Sequence, residues 1–176
     1  VDYLTNRLHH IDQFTLVLLD YAARRFGIAQ FGPARAIALQ IIRNERPEDN
    51  VEQRVIRPQS RPSAAALAAP GIDPIGLING GALACDSPGT PPGYDRVLSE
   101  AVDAGGYRLT HVAFALGIER DLGCAATGGA ALSTIVADRI VAESEADRST
   151  SDLEMERLAA LTYLGLGDRI SQAVIE

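Results

Sequence analysis

The chain reads as an all-α protein of six or seven helices in antiparallel hairpins, and three observations point there. First, alanine fills 27 of the 176 positions while aromatics make up 5% and tryptophan is absent. A core built from Ala, Leu, Ile and Val with so few rings suits close-packed helices better than strands. Second, apolar residues recur at spacings of three and four through most of the chain. Third, all nine prolines lie between Pro33 and Pro92. They divide the chain into a helical head over 1–45, a broken middle over 46–93 and a helical tail over 94–176. The length suits a single domain and suffices to bury a core without metals or disulfides.

Each element follows in order. Leu4, Leu8, Ile11, Thr15, Leu18 and Ala22 line one face of a helix over Tyr3–Phe26, which Gly27 ends. Pro33, in a first turn, opens a second helix to about Arg43. Between Arg46 and Gly93 prolines, charges and small residues alternate without a sustained period apart from the Ala-rich turn Ser63–Ala69, so a long Pro/Gly-rich loop is expected, in which the short apolar runs Ile72–Ile78 and Ala82–Cys85 could be buried in extended form. The tail opens with Tyr94, Val97, Leu98, Ala101 and Val102 on one face and Asp95, Ser99, Glu100 and Asp103 on the other, closed by Gly105 and Gly106. Leu109–Leu122 is apolar nearly all round, which predicts the most buried helix. A helix over Gly129–Glu145 follows. Ser151 and Glu154 then form a capping box for a helix to Leu164, and Asp168 caps a last short one.

Composition removes several kinds of chemistry. All sixteen positive side chains are arginine. Without lysine the chain can form no Schiff base and cannot complete a phosphate loop ending in Gly-Lys-Ser/Thr. Arginine in place of lysine, with abundant Ala and Gly, also looks like the codon bias of a GC-rich bacterial genome. The net charge is −7, and the acid excess lies wholly beyond residue 93. An acidic tail without a basic stripe argues against nucleic acid as a partner. No apolar run is long enough to cross a bilayer. A start at Val1 suggests removal of an N-terminal piece, signal-peptide cleavage being one route, and the apolar end at Ala173–Ile175 suggests a longer polypeptide. Export to the periplasm or the medium would let Cys85 and Cys124 pair. Two unpaired thiols are the alternative, and the sequence leaves both open.

His111 is the first candidate for chemistry. It shares a stripe with Phe114, Ala115, Ile118 and Leu122 in the helix expected to be innermost. Burial there disfavours the imidazolium and yields a neutral base. The plainer expectation is a core histidine bonded to a backbone carbonyl. Asp103 and Asp12 are the carboxylates proposed to assist it. His9 and His10 point about 100° apart on a helix and cannot both face one ligand. His9 falls with Asp20 on a face expected to be solvated, and His10 borders the apolar side. No HExxH or paired CxxC spacing supports a metal, and no cofactor is implied. There is no GxSxG elbow, and Cys124 follows a helix C-terminus, whose dipole opposes thiolate formation. The glycine pairs at Gly80–Gly81 and Gly128–Gly129 read as tight connections. Glu154 and Glu156, two residues apart, read as solvated charge.

The stretch GGYRLTHVAFALGIERDLGC, followed by glycine-punctuated helices, resembles the hairpins of α/α-toroid and helical-repeat proteins. No function is carried from so short a likeness. Two expectations remain for function. One is a domain that binds a protein or an apolar small molecule in a groove between helices and loop. The other is a hydrolase-type enzyme with His111 as general base. Homo-oligomerisation is compatible with either.

Overall fold

In the computed structural model the described residues are Leu16, Leu19, Asp20, Ala23, Arg24, 27–41, Arg54, Ser63, Leu67, 73–147 and 151–169. The fold is all-α: among the described residues there are six α-helices and no strand. They are α1 (Gly32–Ile41), α2 (Pro74–Leu83), α3 (Tyr94–Ala104), α4 (Gly106–Asp121), α5 (Gly129–Ala146) and α6 (Asp152–Leu164). Short 3-10 turns occupy Ala29–Phe31 and Gly167–Arg169. No described helix is long and apolar enough to cross a membrane. Contacts divide the chain into two compact units, Val1–Ala66 and Leu67–Glu176.

In the first unit Gly27 adopts φ 68°, and the Ile28 N–H bonds back to the Ala23 carbonyl at 3.1 Å. This is the left-handed glycine stop that the sequence calls for. Pro33 sits in the first turn of α1, where its missing N–H costs nothing. Asp20, expected on a solvated face, is buried instead. Its carboxylate holds Arg24 at 2.9 Å and Arg35 at 3.4 Å.

The second unit contains a helix where a loop or extended chain was expected. Asp73 caps α2, its carboxylate accepting from the N–H groups of Ile75 and Gly76 at 2.8 and 2.9 Å, and Pro74 takes the first helical position. Those are ordinary start signals. Gly76, Gly80 and Gly81 obscure them, because glycine lowers helix propensity more than any residue but proline. Burial supplies what propensity lacks, since Ile78 to Leu83 are all buried. At Gly81 the Tyr94 ring lies where a Cβ would stand 2.2 Å from its Cε2 atom. The Tyr94 hydroxyl donates to the Ile78 carbonyl at 2.6 Å, and burial pushes its pKa up, so it stays a donor.

α4 is the central helix, as its all-round apolar surface predicts, and it packs against α2, α3, α5 and α6. It begins earlier than expected. Gly105, at φ 70°, turns the chain straight from α3 into α4, so Gly106 opens α4 instead of closing α3. The core joins Leu98, Leu109, Val112, Leu116, Ile140 and Leu161. α5 runs antiparallel to α4: Thr127, before α5, meets Glu119 at one end, and Glu143 meets Gly106 at the other. α6 runs antiparallel to α5, with Arg157 on Glu143 and Arg169 on Asp138. α4 and α6 are therefore parallel neighbours within an up-down-up arrangement. Ser151 caps α6 by accepting from the Glu154 N–H at 3.2 Å. The Glu154 side chain does not return the bond, because Arg157 takes its carboxylate at 3.1 Å.

Candidate functional site

α2, α4 and α6 bring three side chains together. His111 lies in the second turn of α4 with its side chain 12% exposed. The Asn79 amide, from buried α2, meets its Nδ1 with the nitrogen at 3.0 Å and the oxygen at 3.1 Å. On the other side of the ring, Nε2 stands 3.6 Å from Glu156 Oε1 on α6. That separation exceeds a direct hydrogen bond, and the two form an ion pair only when the ring is protonated and Glu156 ionised. Phe114, one turn along α4, meets the ring edge-on with centroids 5.9 Å apart.

The parallel pairing of α4 and α6 extends the site in one direction. Thr110, fully buried, places Oγ1 2.5 Å from Glu156 Oε1 and 2.8 Å from the Tyr107 carbonyl. The Tyr107 hydroxyl donates to Asp152 at 2.9 Å. A threonine hydroxyl has one proton to give. With Glu156 ionised, Thr110 donates to it. With Glu156 protonated, the acid donates to Thr110, which in turn donates to the Tyr107 carbonyl. Each state satisfies its groups, so this carboxyl can gain or lose a proton without leaving a buried atom unbonded.

The electrostatics favour neutral forms at the centre. Burial lowers the His111 pKa from its ordinary 6.5, opposed by the negative field of Asp73. Burial raises the Glu156 pKa from 4.5, the bond from Thr110 opposing and Asp152 reinforcing. An amide that meets Nδ1 through both its atoms can serve either neutral tautomer. Donation from Nδ1 to the amide oxygen leaves Nε2 as the base facing Glu156. Donation from the amide nitrogen to Nδ1 places the proton on Nε2.

The sequence-derived candidates divide. His111 is at the centre, with the Asn79 amide on Nδ1 and the Glu156 carboxyl near Nε2. Asp103 stands apart: it is exposed near the end of α3, and its backbone oxygen accepts from Arg139 at 3.5 Å. The Gly105 turn separates it from the His111 face. Asp12, His9 and His10 lie outside the described residues. Glu156 takes the place proposed for Asp103, and the reading of Glu154 and Glu156 as solvated charge is corrected. Glu156 turns inward with Leu153 and Ala160, at spacings of three and four, and that stripe was legible. Glu154 faces the other way and is buried against Arg157. Asn79 carried no signal of its own, because it stood in a stretch read as loop.

Other features lie outside this cluster. Cys85 and Cys124 form a disulfide. Glu119, fully buried, accepts from the Thr127 N–H at 2.7 Å and the Thr127 hydroxyl at 2.8 Å, so it fastens the loop that leads from Cys124 to α5. Among the described residues no group of three or more His, Cys, Asp or Glu is arranged to hold a metal ion. Comparison with protein-family models, curated proteins and solved structures gives no match for this chain.

Proposed function

We propose that the chain is a hydrolase-type enzyme whose general base is His111, assisted by Glu156 and oriented by Asn79. The observation that carries this reading is the placement of one imidazole between an amide on Nδ1 and a carboxyl near Nε2, with burial holding the ring neutral. A neutral Nε2 takes a proton from water. The hydroxide so formed adds to an electrophilic centre, and the proton passes from Nε2 to the leaving group as the bond to it breaks. Asn79 fixes the ring plane, and Glu156 offsets the positive charge while the ring holds the proton, a role that requires its ionised state, in which Thr110 donates to it. No side-chain nucleophile enters, in keeping with the lack of a serine or cysteine motif.

The test is hydrolysis of a panel of chromogenic esters, amides, glycosides and phosphates by the full chain and by its His111→Gln variant. A base must be unprotonated to act, so the rate should rise with pH and level off with an apparent pKa below 6.5. His111→Gln should lower it about a hundredfold or more while the melting temperature is retained. Equal rates in both proteins, or no rate above buffer for any substrate, would contradict the proposal and favour binding of a partner.

A further inference from the structure

α2 is the shortest α-helix described in the second unit, and it carries the residue that meets His111 Nδ1. It has ten residues, three of them glycine. A helix so short is marginal in isolation, and each glycine weakens it further. It therefore stays folded through what it touches. Four ties hold it: burial of Ile78 to Leu83, the Tyr94 hydroxyl on the Ile78 carbonyl, the bond from Cys85, two residues past its end, to Cys124 beyond the C-terminus of α4, and the Asn79 amide on His111 Nδ1. The first is thinner than its length suggests, because Asn79, Gly80, Gly81 and Ala82 have little apolar side chain to bury. The third is covalent and the only one that chemistry can remove. Both cysteines are partly exposed, within reach of a dissolved thiol.

We propose that thiol–disulfide exchange at Cys85–Cys124 regulates the His111 site, the oxidised form holding α2 with Asn79 on the imidazole and the reduced form letting α2 open. The reductant is a dithiol. One of its thiolates attacks a sulfur of the bridge to give a mixed disulfide, and its second thiolate displaces the protein thiolate and closes the reductant's own ring. Two electrons and two protons pass to the protein, leaving Cys85 and Cys124 as thiols. α4, α5 and α6 pack on one another through Leu109, Val112, Ile140 and Leu161, and Ile78 and Ala82 of α2 join the same core. The opening proposed is that of α2, whose one covalent tie to α4 is the bridge. As regulation of an active site the proposal rests on the hydrolase reading, but the opening itself is read without any substrate.

The experiment is amide hydrogen exchange on the full chain, oxidised and after dithiothreitol, with thiol titration confirming two free cysteines. The double variant Cys85→Ser, Cys124→Ser is the reductant-free control. The amides of Ile78 to Leu83 should exchange about tenfold or more faster in the reduced protein and in the variant, with those of α4 and α6 unchanged. The His111 ring resonances should shift at the same time, as Asn79 leaves Nδ1. Unchanged exchange in α2 with both thiols titrated would overturn the proposal. So would equal acceleration through α4 and α6, because the bridge would then support the whole unit and not this helix. A failure of the hydrolase reading alone would appear as absent turnover with the α2 response intact.

Discussion

Gly81 shows how much one hydrogen atom in place of a methyl can decide. The Tyr94 ring rests on it, with Cε2 2.2 Å and Cδ2 2.6 Å from where a Cβ would be. Gly81→Ala must move the ring, and the hydroxyl would leave the Ile78 carbonyl it now meets at 2.6 Å. Overpacking and the lost bond together should destabilise the protein by about 1–3 kcal/mol in urea denaturation. A change within about 0.5 kcal/mol would show that the ring shifts freely. The same scale decides what the sequence could say of the site. His111 stood out because a titratable ring in an apolar stripe is conspicuous. Glu156 did not, because a glutamate two residues from another glutamate looks like surface charge until the inward stripe of Leu153 and Ala160 is weighed against it.

Among elements, α5 and α6 are joined by an ionic cluster centred on Arg157, which binds Glu143 at 2.9 Å and Glu154 at 3.1 Å and approaches Asp147 at 3.7 Å. Arg157 and Glu154 are both buried, and Glu154 Oε1 and Arg157 Nε have no hydrogen-bond partner among the described residues. Removing the cation leaves the buried Glu154 carboxylate without its counter-charge, which costs more than the intact cluster is worth. Arg157→Met should therefore lower stability by about 3 kcal/mol at neutral pH, measured by urea denaturation. A loss under about 1 kcal/mol would mean that water reaches the cluster. Helices of the tail were legible because amphipathic period and glycine stops agree there. α2 was hidden because its glycines argue against helix, and only burial against α3 and α4, a tertiary fact, overrules them. Its Asp73-Pro74 start is an ordinary local signal that the reading of this stretch as loop passed over.

For the molecule as a whole, composition, apolar spacing and proline placement were enough to give an all-α fold, and the all-round apolar pattern of Leu109–Leu122 gave α4 as the central helix of the second unit. The parallel relation of α4 and α6 was not, because hairpin reasoning treats helices in consecutive pairs and leaves first and third neighbours unplaced. That relation builds the site: it aligns Tyr107 with Asp152, Thr110 with Glu156, and Glu156 with His111. If His111 is the general base proposed above, it must be neutral in the working protein. The measurement that bears on it most directly is a histidine-selective NMR titration of the full chain, following the His111 ring as the pH is lowered. Burial between α2 and α6 predicts a pKa below 6.5, shifted again in Glu156→Gln. A value at or above 6.5, unmoved by that substitution, would contradict a neutral base coupled to Glu156.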